Sequence, residues 1–474
     1  MAGIGFKISK MLSRKTLTMD FLAFFYSALI TVGPWIISST AVWFMMKYMS
    51  KDAYFQAIMV YSFIFSVIIT GGVNLTFTRR ISDLTYAGRT DKVFPEFLSA
   101  SFIVVLLLSS SAILFFIFNP HGIWLCLLSI WFFVSIGMTW FSSIVMAETR
   151  KLFAYTSGYL LLGTVGVLLS ILLGERFGGR GGIAGFLIAD IVCLILFTIF
   201  IGRTFGFKIN PSFEWIKESV KYWELYPIGW IYYLSIWADD FIVWFSQYGY
   251  ENPKGFRYSP VYDLPMFLAY LTIIPTMIMF VMVIETKFYK SYRNFYETLS
   301  KGASLSVIKS RHSAMMEELN HSLKMVMKIQ FIFTIFFILL NEVEGLGLSG
   351  ISRFILRTGL AGAMINGFFM MILLILLYFE FRREALFSVI VVFVANTTIS
   401  FFTLKFLGFK SAGIGYTLSF FIGTITSYEM LKRRLKDLIR IEYLRQPLGI
   451  PRGYIKREKY GSISYSFQPK SKVQ

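Results

Sequence analysis

Charge is scarce in this chain. Of 474 residues, 15% are Asp, Glu, Lys or Arg, while 56% are hydrophobic and 18% aromatic; soluble domains carry about a quarter charged residues. That balance excludes an ordinary water-soluble domain and identifies an integral membrane protein. Cysteine and histidine are scarcer still. Cys126 and Cys193 each stand alone in an apolar run, and His121, His312 and His321 lack partners at ligand spacing, so neither a disulfide framework nor a metal site is indicated. The chain also lacks a G-x-x-x-x-G-K-[ST] loop, a G-x-S-x-G elbow and an H-E-x-x-H pair, which argues against a self-contained ATP-driven pump and against the common hydrolase and zinc-protease sites. No catalytic residue, cofactor or metal ligand is assigned, and no soluble stretch matches a catalytic domain of about 100 residues. The reading is therefore of a non-enzyme.

Long apolar runs are what the sequence has in abundance. A helix needs about 20 apolar residues to cross the hydrocarbon, and cutting the chain at its charged or Gly/Pro/Asn-bearing breaks leaves twelve candidates, near 21–46, 54–77, 97–118, 123–146, 152–173, 183–201, 225–245, 264–284, 325–341, 356–378, 385–402 and 412–430. The first is too long for a signal-peptide core of roughly 7–15 residues and is read as retained. The expected fold is all-α, with about twelve spans in two six-helix lobes: residues 1–201, a cytoplasmic connection at 202–224, residues 225–430, and a basic tail at 431–474. The segment MMEELNHSLKMVMK has helical spacing and should extend the helix leading into span nine. Most of the 46 Lys and Arg fall before span one, after span twelve and in the even-numbered connections, so both termini are placed in the cytoplasm. A formal charge of +19 distributed in this way serves topology in a lipid bilayer; a nucleic-acid binder would gather it on one soluble face.

A few polar residues interrupt these runs. IYYLSIWADDFIVWFS sets Asp239 beside Asp240, and GFLIADIVCLILF holds Asp190. Each buried Asp costs about 2.5–3.5 kcal/mol on insertion scales, so such residues usually face a bundle interior or a watery cavity. Neighbours on a helix are turned about 100° apart, so Asp239 and Asp240 cannot point the same way. The pair reads either as a cation, proton or sugar-hydroxyl site in a transport path, or as a structural pair satisfied by adjacent helices. Asp190 carries the same two readings. Asn74 is a further path candidate, while Asn366 and Asn396 read more simply as amides joining helices. Tyr233 and Trp237, with Tyr232, Phe241, Trp244 and Phe245, could stack on sugar rings, although interfacial aromatics are commoner. Pro34 in GPW and Pro275 in IIPTM are candidate hinges. The charges placed deep in spans are all acidic, which suits a neutral or cationic cargo better than a lipid pyrophosphate. GERFGGRGG, at residues 174–182, reads as a turn.

The motifs MAGIGF, GPWIISS, TRRISDLTYAGRTDKVFPEF, IWADDFIVWF and YDLPMFLAYLTIIPTM, the last running into ETKFYKSYRNFYETL, closely resemble the PelG family, inner-membrane components of Pel exopolysaccharide export. The resemblance extends to RRLKDLIRIEYLRQPLG and stops before Pro451. It implies a transporter of the polysaccharide branch of the MOP superfamily, related to O-antigen flippases and MATE exporters. It also implies transport of Pel, an amino-sugar-rich biofilm polymer, across the cytoplasmic membrane, with a PelF-like cytosolic glycosyltransferase and PelD-like and PelE-like membrane partners. No binding residue is carried over from the family. On this combined reading Asp239 and Asp240 face a hydrated sugar path; the alternative is a MATE-like, cation-coupled exporter of organic cations. A multi-span sugar polymerase is disfavoured by the lack of a large outer loop.

Overall fold

The structure, a computed structural model, describes residues 16, 24, 27–28, 33–48, 52–149, 151–252, 255–343, 348, 350–444, 455–457 and 463–465. Its helices are α1 (Gly33–Tyr48), α2 (Ala53–Tyr86), α3 (Val93–Phe118), α4 (Ile123–Glu148), α5 (Leu152–Phe177), α6 (Gly179–Phe205), α7 (Leu225–Trp244), the interrupted run α8 (Pro260–Ser300), α9 (Leu305–Glu342), α10 (Gly350–Tyr378), α11 (Arg382–Leu407) and α12 (Ile414–Lys436). Among the described residues, nine are long and apolar enough to cross a membrane. The other three are α1, whose described part has 16 residues, α7, diluted by two aspartates, and α12, rich in hydroxyls and basic in its last turn. The chain is a multi-pass membrane protein.

Among the described residues the two largest buried cores divide these helices. Phe77, Phe97, Phe132, Phe141, Phe186 and Phe197 pack among α2 to α6, and Tyr262, Phe288, Leu373, Phe379, Tyr416 and Phe420 pack among α8, α10 and α12. In lipid the backbone must satisfy itself, so turns are short and capped. At the α5–α6 turn a single residue, Gly178, intervenes at φ +65°, a left-handed value that glycine adopts without a Cβ clash. Asp52 caps two helices there. Its Oδ1 accepts the Phe55 N–H at 2.9 Å and its Oδ2 the Gly179 N–H at 2.8 Å, tying the starts of α2 and α6 together through their otherwise unpaired amides.

At the far end of α2, the buried Arg80 makes a bidentate pair with Glu96 on α3 at 2.6 and 2.7 Å. The connection after α6 docks beside it. It carries a short helix, Glu214–Ser219, whose buried Trp215 donates to Ser99 Oγ at 3.0 Å. This is the linker end of the bundle. At the opposite, hairpin end, Tyr250–Glu251 pairs with Arg257–Tyr258, and Asn252 donates to the Ala53 carbonyl at 3.3 Å.

Between these ends α2 of the first lobe runs along α7 of the second. Their backbones touch. A Cβ on Gly229 would lie 2.2 Å from the Gly71 carbonyl oxygen, one on Gly71 2.8 Å from the Gly229 oxygen, and one on Gly72 2.6 Å from the Tyr226 oxygen. Small residues allow this approach, which membrane helices use because lipid offers no hydrophobic drive to associate. Trp230 adds a bond across the seam, from Nε1 to the Ile69 carbonyl at 2.8 Å.

The segment around Pro275 is broken. α8 turns at Thr272 and Ile273, one residue short of Pro275, which cannot supply the N–H of a continuing helix. Gln330 of α9, fully buried, bridges the break, donating to the Thr272 carbonyl at 3.0 Å and accepting from Thr276 Oγ1. A second irregularity, the π segment Ile284–Phe288, follows where the sequence ends this span. α9 has 38 residues, about 57 Å at 1.5 Å each, so it extends well past the bilayer core. The region of MMEELNHSLKMVMK is part of that extension, as the spacing predicts. There His312 Nε2 lies 3.0 Å from the Leu435 carbonyl at the end of α12. Pro34 falls in the first turn of the described part of α1; residues 29–32 and, apart from Thr16, the basic N-terminal stretch lie outside the described residues. Beyond Leu444 only Ile455–Arg457 and Ile463–Tyr465 are described, as an antiparallel pair, and the rest of the expected tail lies outside them.

The seam sets a prediction. Gly229→Leu forces side-chain atoms onto the α2 backbone, and overpacking of that kind costs about 1–3 kcal/mol. The purified variant should unfold at a lower temperature than wild type, whereas Gly122→Ala, where a Cβ meets open space at φ −56°, should leave the transition unchanged. Equal transitions for Gly229→Leu and wild type would show that the helices separate there without cost.

Candidate functional site

α7 places Asp239 and Asp240 inside the second lobe, each 1% exposed. Their 100° offset sends them to different partners. Asp239 accepts from Asn396 Nδ2 at 2.8 Å through Oδ1 and from the Tyr262 hydroxyl through Oδ2. Asp240 accepts from the Tyr270 hydroxyl at 3.0 Å. Tyr262 and Tyr270 are eight residues apart on α8, just over two turns, so both reach α7 from one face. Asn396 of α11 also donates to the Ser235 carbonyl at 2.9 Å and accepts from Ser400 at 2.8 Å. Four helices therefore converge on two carboxylates, counting α12, whose buried Tyr416 packs on Tyr270 at 5.5 Å and accepts from Asn366 at 2.8 Å.

Asp263 extends this polar string toward the hairpin end. It accepts from Trp244 Nε1 at 2.9 Å and from the Ser259 N–H at 2.8 Å. A cavity of about 10 Å³, lined by Asp239, Tyr262, Ser400, Thr403, Ser411 and Gly413 among others, opens beside Asp239. That is room for roughly one water molecule. The surroundings are hydroxyls, amides and carboxylates, with no Lys or Arg ion pair to either acid among the described residues. Such a set can accept from donors or hold one small cation or proton; among the described residues it presents no cationic group to a phosphate. Among the described residues no group of three or more His, Cys, Asp and Glu is placed to hold a metal ion.

The other residues singled out from sequence distribute themselves differently. Trp237 stands edge-on to Tyr270 at 5.5 Å and so belongs with the acid pair. Tyr233 points to α2, where its ring lies 2.7 Å from the position a Gly71 Cβ would take. Asn74, half-buried on α2, donates to Thr70 Oγ1 at 3.2 Å. Asp190 is in the other lobe, fully buried, and accepts from Ser135 at 2.5 Å and Thr139 at 2.8 Å on α4; Tyr159 and Ser143 continue its surroundings, 2.8 Å apart. Sequence reasoning passed over Tyr262, Tyr270 and Asp263. The signal was available in PVYDLPMFLAYL, where two tyrosines repeat at helical spacing in an apolar run, but only the fold shows that they face acids.

Helices grouped around two cores, with both halves joined along α2 and α7, make up a fold shared with transporters of the MOP superfamily. An outward-facing multidrug resistance MATE family transporter of that superfamily superposes with a TM-score of 0.60 at 14% identity, covering 87% of this chain and 94% of that one. The inward-facing form of a MATE family transporter gives 0.58 at 12%, covering 88% and 95%. The Vibrio cholerae MATE transporter VcmN in its bent form gives 0.60 at 12%, covering 92% and 99%. At these identities the likeness establishes the fold alone. No curated protein matches the chain. Residues 1–443 match the family described as "PelG: Putative exopolysaccharide Exporter (EPS-E)", and the chain belongs to that family.

The donor set can be tested residue by residue. Asn396→Leu strips Asp239 of an amide and leaves Ser400 and the Ser235 carbonyl short of a partner, and each buried unsatisfied group costs about 1–3 kcal/mol. The variant should lose thermal stability in detergent, and Asp190→Leu should do the same in the other lobe by orphaning Ser135 and Thr139. Unchanged melting of both would mean that water or rearranged hydroxyls replace these bonds.

Proposed function

We propose that this protein moves an amino-sugar-rich, Pel-like exopolysaccharide across the cytoplasmic membrane during biofilm matrix production. Membership of the PelG family over residues 1–443 carries the reading, and the transporter fold supports it. Family and fold are those of a transport protein rather than an enzyme. The polymer would be supplied by a PelF-like cytosolic glycosyltransferase, with PelD-like and PelE-like proteins beside the chain in the bilayer and both termini in the cytoplasm. Asn74 and Tyr233 lie on the helices of the seam and are proposed to line the path when the lobes part. Asp239, Asp240 and Trp237 in the second lobe and Asp190 in the first are proposed to serve the path from within their lobes, with Pro34 and Pro275 as flexing points.

A specific observation favours the second reading, cation-coupled export of organic cations. The acids are enclosed, and the cavity beside Asp239 admits about one water-sized species, so they suit a small cation or a proton better than a sugar chain.

Secreted amino-sugar polymer should fall to background in cells lacking the protein. Wild type should restore it, and Asp239→Asn combined with Asp240→Asn should not, at matched membrane levels. Polymer unchanged in the deletion strain, together with new sensitivity to organic cations, would overturn the first reading in favour of the second.

A further inference from the structure

Among the described residues eight glycines have positive φ, and one other residue does: Glu380, at φ +61°. A non-glycine there bears backbone strain that glycine would avoid. The turn joining α10 to α11 therefore keeps a carboxylate where its geometry favours glycine, and the side chain shows why. Glu380 pairs with Arg79 near the end of α2, across the seam in the other lobe. It also lies 3.5 Å from Arg382. Arg382 in turn reaches Glu224 at 3.1 Å and the Lys221 carbonyl at 2.9 Å in the linker. Asp83, one turn beyond Arg79, accepts from it at 3.1 Å. Both guanidinium carbons stand 4.8 Å from the Tyr222 ring, within cation–π range. Arg79, Glu380 and Glu224 are each 10% exposed or less in their side chains.

This cluster joins three separate parts of the chain. α2 belongs to the first lobe, the α10–α11 turn to the second, and Tyr222 and Glu224 to the linker that Trp215 fastens to the first. We infer that Arg79, Glu380, Arg382 and Glu224, arranged around Tyr222, form a reversible latch that shuts the linker end of the seam and must part for cytosolic cargo to pass between the lobes. This rests on the transport reading, which places the linker end in the cytoplasm. The chemistry suits a closure that has to reopen. Burying ions costs nearly as much as their attraction returns, so the closed and hydrated arrangements stay close in energy. The hairpin end is closed differently, by aromatic stacks of Tyr61 on Trp244 at 5.5 Å and Phe65 on Phe241 at 5.4 Å.

The test is labelling of Thr78→Cys, half-buried beside Arg79, by a membrane-impermeant maleimide added to inside-out vesicles, with Cys126 and Cys193 replaced by Ala. Glu380→Gln should label several-fold faster than the Glu380 parent, and the exchange of Arg79→Glu with Glu380→Arg should return the rate toward the parent. Glu380→Gly separates latch from fold. It relieves the turn, so it should melt no lower than Glu380→Gln, yet Thr78→Cys should still label faster. Equal rates in all variants, or labelling only from the opposite membrane face, would overturn the latch. Polymer secretion does not enter this readout, so a failed export assay leaves it standing, and a failed latch leaves the export assay standing.

Discussion

The backbone contact between α2 and α7 is the constraint on which the arrangement of the lobes depends. Gly71, Gly72 and Gly229 remove the side chains that would hold these helices apart, and no polar pair at that level would let the two axes come as close. Each lobe buries its own aromatic core, so the seam need not supply the stability of either half. It fixes instead where they touch. Phe65 and Arg79 each lie seven residues from Gly72, about 10 Å along the helix axis, one within the aromatic closure and the other within the ionic one. A point of close approach flanked by two dissimilar closures is suited to rocking, because one end can part while the contact between them persists.

The acids of the second lobe obey a different constraint. Asp239 and Asp240 are too costly to bury alone, and among the described residues no Lys or Arg forms an ion pair with either. The fold answers with hydroxyls and amides drawn from α8 and α11, so the carboxyls are met by hydrogen bonds from neutral groups. Tyr262 and Tyr270 both sit before the break at Thr272 and Ile273, and Gln330 braces the far side of that break. A change of charge or ion occupancy at the acids would therefore be felt first by the part of α8 that is least held by its own backbone, which links the site to a movable element.

The all-helical class, the membrane spans and the extension of α9 were legible in the sequence because each follows from long apolar runs and helical spacing. The turn expected across residues 174–182 is confined to Gly178, with helix on either side of it. The acid residues could be found by their cost, but not their partners: the direction in which Asp239 points depends on how α11 crosses α7, and nothing in IWADDFIVWF encodes that crossing. The same holds for Asp190, whose partners Ser135 and Thr139 lie on a different helix and read as unremarkable small polar residues. Nothing in the sequence singles out Glu380 or Arg79. Their pairing across 301 positions and the positive φ of Glu380 are properties of the assembled seam.

The central claim is that the two ends of the seam open alternately about the glycine contact. Pairs of spin labels in full-length protein in lipid bilayers, one pair spanning α2 and the α10–α11 turn at the linker end and another spanning α2 and α7 at the hairpin end, measure this directly. The account predicts short and long distances at each end, with conditions that lengthen one shortening the other, while a pair placed beside Gly72 and Gly229 stays at one distance. A single fixed distance at both ends, or both ends lengthening together, would contradict it.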